Sequence, residues 1–193
     1  MRTAFINQLI EEAKKNDKIF LVVGDLGFSV VEPFAQQFPD RFLNAGVAEQ
    51  NMTGIAAGLA IEGYNVFTYS IANFPTLRCM EQIRYDVCYH NLSVKIVSVG
   101  GGYAYGPLGA SHHATEDLGM MRTIPNMVVS APGDPVETKA ITAFFCNIHT
   151  PGYIRLGKAG EPIVHKKEIQ FKVPRGLCLQ EQGTTAILST GAV

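Results

Sequence analysis

The sequence predicts an α/β fold, a three-layer α/β/α domain with a mostly parallel sheet. Three observations predict it. Short apolar runs of strand length alternate with helical stretches along most of the chain. Runs such as Ile19-Phe20-Leu21-Val22-Val23 are continuously apolar, as strands covered on both faces are. Polar residues fall in the loops after strands, at Asp25, Glu49 and His112 with His113, where sheets of this kind bind ligands.

The elements follow in order. Phe5, Ile6, Leu9, Ile10 and Ala13 recur at helical spacing, so residues 3–15 form a helix with a charged outer face. Residues 19–23 are a buried strand that stops at Gly24-Asp25-Leu26-Gly27. Residues 32–38 form a short helix or turn, broken by Pro39-Asp40. Residues 41–44 are a second strand, and a small, apolar helix runs from Glu49 to about Glu62-Gly63. Residues 65–69 are the next strand. Pro75 occupies a first helical turn, and the helix runs to about Tyr89 with Leu77, Met80, Ile83, Val87 and Cys88 inward. Strands are expected at 94–99, 127–130 and 153–156. A polar loop carries Ser111-His112-His113, a short helix starts at Thr115-Glu116-Asp117, and another spans 136–145.

The pattern changes near Gly160. Residues 161–183, with Pro162 and Pro174, are expected to be a linker, and residues 184–193 the first strand of a further, truncated domain. A strand without neighbours is not stable alone, so the sequence is expected to be part of a longer chain, with residues 1–160 as its one complete domain.

Composition narrows the function. With 193 residues and 47% hydrophobic content, one core of ordinary size can form. A net charge of −1 without a basic run argues against nucleic acid as a partner. No apolar run approaches the roughly 20 residues that cross a bilayer, and no signal pattern opens the chain. Cys79, Cys88, Cys146 and Cys178 form no C-x-x-C pair, so free thiols in a reducing, cytoplasmic setting are expected, with no metal site.

Glu49 stands out because a carboxylate precedes the apolar Gly54-Ile55-Ala56-Ala57-Gly58-Leu59-Ala60. Acidic residues are rarely buried without a partner. From the residues alone, Glu49 is either a helix-start carboxylate favoured by the dipole or a group held for a ligand.

Several stretches, in order, resemble one family. Gly24-Asp25-Leu26, then Val47-Ala48-Glu49-Gln50-Asn51-Met52 leading into Ala-Ala-Gly-Leu-Ala, resemble the pyrimidine-binding domain of transketolase-type thiamine diphosphate enzymes. So do Ser111-His112-His113-Ala114-Thr115-Glu116-Asp117-Leu118, Met121 to Met127, Ala131-Pro132-Gly133-Asp134, and the stretch from Thr150 to Lys158. The tail from Thr184 resembles the first strand of the family's C-terminal domain.

The resemblance implies a mechanism. A glutamate at the Glu49 position hydrogen-bonds the pyrimidine ring nitrogen and so activates the cofactor, which then attacks a carbonyl. Phe74 is the expected ring contact, with Tyr69 and Ile71 as wall, although an ordinary core phenylalanine fits the residue as well. His112 matches a histidine that faces substrate oxygen atoms and would exchange protons there, with His113 beside it. Lys158 stands where relatives have an arginine for the sugar phosphate, and would serve as a point charge or simply as a surface lysine. Asp25 either orders the loop near the cofactor and partner or caps the next turn. Leu108 replaces an acidic substrate contact, and the Tyr69 to Phe74 stretch holds fewer aromatics than transketolase proper.

The family binds diphosphate and a divalent metal through Gly-Asp-Gly and a later Asn, and no Gly-Asp-Gly occurs here. The resemblance therefore implies a split enzyme. Thiamine diphosphate would be shared with a separate diphosphate-binding subunit that carries Gly-Asp-Gly and holds Mg2+ or Ca2+. The assembly would be a homodimer or heterotetramer acting on a sugar phosphate, and the isolated chain would be inactive. The rival readings are the β subunit of a 2-oxo-acid dehydrogenase and a catalytically silent interaction module of the same fold.

Overall fold

A computed structural model describes residues 1–169, 177–181 and 183–192. Six strands form one sheet in the order β2-β1-β3-β4-β6-β5, with every neighbouring pair parallel. They are β1 Ile19–Val23, β2 Phe42–Asn44, β3 Asn65–Ile71, β4 Val94–Val99, β5 Val128–Ser130 and β6 Gly152–Leu156. The helices are α1 Arg2–Ala13, α2 Glu32–Gln37, α3 Glu49–Ile61, the composite α4 at 77–88, α5 Asp117–Thr123 and α6 Pro135–Cys146.

Strand parity divides the core in two. Ile19, Leu21, Val23, Phe67, Tyr69, Val97 and Ile154 pack with α1, Phe34 of α2 and α6. Phe20, Val22, Val66, Val94, Ile96 and Tyr153 pack with Met52, Ala56 and Ala57 of α3, with Ile83 and Val87 of α4, and with Met121 of α5. The handedness of parallel crossovers explains which helix covers which face. The chain steps outward from β1 to β2 and from β5 back to β6 in one direction across the sheet, and α2 and α6 make those steps on the α1 side. The steps β2 to β3, β3 to β4 and β4 to β5 run the other way, over the α3 side.

The α4 region departs from the sequence expectation. Pro75 lies in a turn, and helix begins two residues later as a 3-10 segment Leu77–Cys79, an α turn Met80–Gln82 and a π segment Ile83–Cys88. Side chains seal the turn and delay the helix: Thr76 Oγ1 donates to the Ala72 carbonyl at 2.6 Å, and Cys79 Sγ to the Phe74 carbonyl at 3.6 Å. Leu77, expected inward, is 45% exposed in consequence. Strand β3 runs two residues further than the sequence indicates, to Ile71.

Beyond β6, Asp134 fastens the following segment to the domain. Its Oδ1 caps α6 by accepting from Glu137 N–H at 2.8 Å, and its Oδ2 accepts from the backbone of Val164 at 2.9 Å and of His165 at 2.8 Å. Residues 170–176, 182 and 193 of the expected linker and final strand lie outside the described residues. Residues 183–192 form no strand; Gly191 N–H donates to the Ala131 carbonyl at 2.9 Å, just past β5. Among the described residues, no helix is long and apolar enough to cross a membrane.

Candidate functional site

In this strand order the chain leaves β1 toward β2 on one side and returns to β3 on the other. Such a reversal opens a crevice at the carboxyl ends of β1 and β3. Gly24 follows β1 there, and Ala72 and Asn73 follow β3. The helix after β2 points its first residue into the same place. A Cβ at Gly24 would lie 3.7 Å from Glu49 Cγ, 3.6 Å from Ser70 Oγ and 3.5 Å from Met52 Sδ. The absence of a side chain at Gly24 thus leaves room beside the Glu49 carboxylate.

Glu49 is 1% exposed. Its Oε2 accepts from Arg78 Nη1 at 2.8 Å. Its Oε1 is buried and has no hydrogen-bond partner among the described residues, and the same holds for Ser70 Oγ. An orphaned carboxylate oxygen is costly, so its presence points to a donor that arrives from outside the chain. Burial pushes the neighbouring Cys79 thiol up to about 11, with the Glu49 charge adding to the shift, so that thiol stays protonated at neutral pH.

From Glu49 a continuous set of contacts leads outward. The Arg78 guanidinium lies 5.5 Å from the centre of the Phe74 ring, and Phe74 meets His112 edge-on at 5.1 Å. His112 lies 6.2 Å from Tyr105, and Lys158 Nζ stands 4.5 Å over the Tyr105 ring. The loop carrying these residues is pinned at two points. Gly102 and Ala114 form a two-way backbone bridge, and Asn73 Nδ2 donates to the Ser111 carbonyl at 2.6 Å. Beyond it, Asp117 accepts from the Tyr153 hydroxyl at 2.5 Å and from Arg155 at 3.2 Å, which anchors α5 to β6. His112 Nδ1 lies 3.0 Å from Ser111 Oγ, so Nε2 is the ring nitrogen not engaged by that contact.

The structure therefore joins Glu49, Phe74, His112 and Lys158. His113 sits one step aside, against the Tyr103 ring at 5.0 Å and the Gly106 carbonyl at 3.3 Å. Asp25 exchanges two hydrogen bonds with Asn44 and so ties the ends of β1 and β2 together; it does not cap the next turn. Tyr69 is placed differently from the expected wall. Its ring stacks on Phe5 at 6.0 Å on the α1 side of the sheet, because parity along β3 turns Ser70 and not Tyr69 toward Glu49. Ile71 shares that parity, and it lines with Tyr69, Ser70, Leu26, Phe28 and Tyr105 a cavity of about 190 Å³. Arg78, Tyr105 and Asn73 escaped the sequence reading. Helical spacing carried no signal for Arg78, because Phe74 precedes the helix expected from Pro75.

The sequence profile of the transketolase pyrimidine-binding domain matches residues 1–160. The chain belongs to that family. A Methanocaldococcus jannaschii protein named as a putative transketolase C-terminal section is 41% identical over 194 residues, covering 99% of this chain and 61% of its own length. One of the subunits of the apulose-4-phosphate transketolase of Actinobacillus succinogenes is 35% identical, covering 97% of this chain and 60% of its own length. The chain thus spans about three fifths of these relatives. A solved split-gene transketolase, described as an inactive beta4 tetramer, superposes with a TM-score of 0.84 at 42% identity, over 93% of this chain and 58% of that one.

Proposed function

We propose that this chain is the pyrimidine-binding subunit of a split, transketolase-like enzyme that moves a two-carbon ketol unit between sugar phosphates. One observation carries the reading: a buried glutamate at the sheet's crevice with one oxygen held by Arg78 and the other without a partner. The residues fit the aminopyrimidine part of thiamine diphosphate. Glu49 Oε1 offers an acceptor for a ring nitrogen, and Phe74 offers a flat apolar neighbour. When bound, that cofactor supplies a carbon nucleophile able to cleave the bond next to a ketone.

The chain's own residues have separate tasks. Glu49 accepts or shares a proton at the ring nitrogen, in a site closed to water. His112, through Nε2, exchanges a proton with a sugar hydroxyl, with His113 as its neighbour in the loop. Lys158 meets a phosphate as a point charge. Leu108, which is exposed, stands where relatives carry an acidic substrate contact, so that contact has no counterpart in this reading.

Diphosphate and a divalent metal, Mg2+ or Ca2+, are assigned to a partner subunit that carries Gly-Asp-Gly, so the isolated chain is inactive. The relatives' names, one a C-terminal section and the other a single subunit of its transketolase, support this division. Residues 161–183 as linker and 184–193 as the start of a further domain belong to the same reading. So does a cytoplasmic setting, which the four free thiols support.

The test is reconstitution with the partner subunit, thiamine diphosphate and magnesium, on a panel of ketose phosphates that includes apulose 4-phosphate. Turnover is expected for the native chain, with loss of at least two orders of magnitude in Glu49→Ala. Undiminished turnover in Glu49→Ala sinks the assignment. Oxidative decarboxylation of pyruvate instead of ketol transfer supports the 2-oxo-acid dehydrogenase reading, and cofactor binding without any turnover supports the silent module.

A further inference from the structure

We propose that Arg78 is the positioning residue of this site: it fixes the Glu49 carboxylate through Oε2, leaving Oε1 as the acceptor offered to a ligand, and it sets the Phe74 ring at a fixed distance from that acceptor. The proposal rests on the reading of Glu49 given above.

Geometry supports it. A carboxylate can turn about its last side-chain torsion over a broad range, so its two oxygens are interchangeable until one is held. The only cation paired with Glu49 among the described residues is Arg78, at 2.8 Å. The same guanidinium faces the Phe74 ring at 5.5 Å, so one side chain touches both parts of the proposed ring slot. The backbone beneath it is firm, because Thr76 and Cys79 seal the turn Ala72–Thr76 with their own side chains. The pair is also asymmetric. Glu49 is closed to water, whereas the Arg78 side chain is 52% exposed, so the arginine can hold the buried charge from the solvent side without itself being desolvated. A lysine at this place would supply charge but neither the planar face for Phe74 nor a fork that fixes the carboxylate plane.

The test uses the complex of the full chain with its diphosphate-binding partner, titrated with thiamine diphosphate in the presence of magnesium. The variants are Arg78→Met, Arg78→Lys, Glu49→Gln and the double variant Arg78→Met/Glu49→Gln. Arg78→Met is expected to weaken cofactor binding about tenfold or more and to lower kcat, with substrate KM within about twofold of the native value. Arg78→Lys is expected to recover part of the affinity, and it carries the test where Arg78→Met does not fold. In the Glu49→Gln background Arg78→Met is expected to add little, since the group it positions is gone.

An equal loss from Arg78→Met in both backgrounds overturns the proposal, as does a raised substrate KM with unchanged cofactor affinity. Undiminished cofactor affinity and turnover in Glu49→Gln overturns the Glu49 reading and the Arg78 proposal with it. A loss in Glu49→Gln that neither Arg78 variant shares overturns the Arg78 proposal alone.

Discussion

Replacing Asp134 by Ala should weaken the fold by about 3 kcal/mol at neutral pH, and the deficit should fade in acid. Asp134 is fully buried. Its Oδ1 caps α6, a contact worth roughly 1 kcal/mol. Its Oδ2 receives two backbone N–H groups and the His165 ring, and orphaning the two backbone donors costs roughly 1 kcal/mol each. The acid limb has an independent origin. Burial works against the charge on Asp134, yet hydrogen bonds from the His165 and Glu137 backbone, the His165 ring and the Val164 backbone outweigh it and hold the carboxyl at about 2. A depressed carboxyl stabilises the fold above its unfolded pKa near 3.8, and that contribution is lost as pH falls from about 4 toward 2. A depression of about two units corresponds to roughly 2.5 kcal/mol, close to the sum of the contacts. Urea unfolding of native and Asp134→Ala chains from pH 7 to pH 2.5 measures the gap. A gap below about 1 kcal/mol at pH 7, or one that stays constant into acid, refutes the reasoning.

Three further perturbations test the core. Lys95 is fully buried on β4 with its donors on Ser93, Ile148 and Thr150, and burial lowers its amine to about 7. At Lys95 the unfolded chain therefore holds more protons than the folded one between pH 7 and about 10, while the buried thiols of Cys79, Cys88 and Cys146, all raised by burial, act the other way above about pH 8.5; the stability of the native chain relative to Lys95→Met should therefore increase with pH in paired urea titrations. Met52→Ala should cost about 2–5 kcal/mol in urea unfolding, since Met52 is fully buried in the α3 packing beside Gly24. Gly152→Val should cost more than about 1–3 kcal/mol and shift the urea midpoint accordingly, because even a Cβ there would overlap the Phe145 ring at Cε1.

What the sequence made legible is what local pattern controls. The run Ile19 to Val23 and the stretch Val94 to Val99 read as buried strands because nothing polar interrupts the sheet's interior, apart from Lys95 and Ser98. Glu49 was legible as a buried charge because its helix is apolar. Its pairing with Arg78 was not, since the two residues meet only after the chain has reversed across β1 and β3. The facing of Tyr69 was obscured for another reason. Both faces of β3 are buried, so alternation along Val66-Phe67-Thr68-Tyr69-Ser70 carries no mark of which side holds α1. The late start of α4 reflects side-chain bonds from Thr76 and Cys79, which helix periodicity does not register. The apolar stretch at 184–189 has strand composition, but strand is a property of a pair, and residues 183–192 have no ladder partner among the described residues.

The unpaired oxygen of Glu49 sets stability and recognition against each other at a single atom. A buried acceptor left without a donor lowers folding stability by roughly 1–3 kcal/mol. Arg78, half in solvent, would lose little if the carboxylate were gone. Glu49→Met should therefore raise the melting temperature of the free chain while removing the atom that a ligand would meet. Selection for a sturdier chain alone would erase Glu49, so its persistence in a lineage would report the demand for function and not for folding.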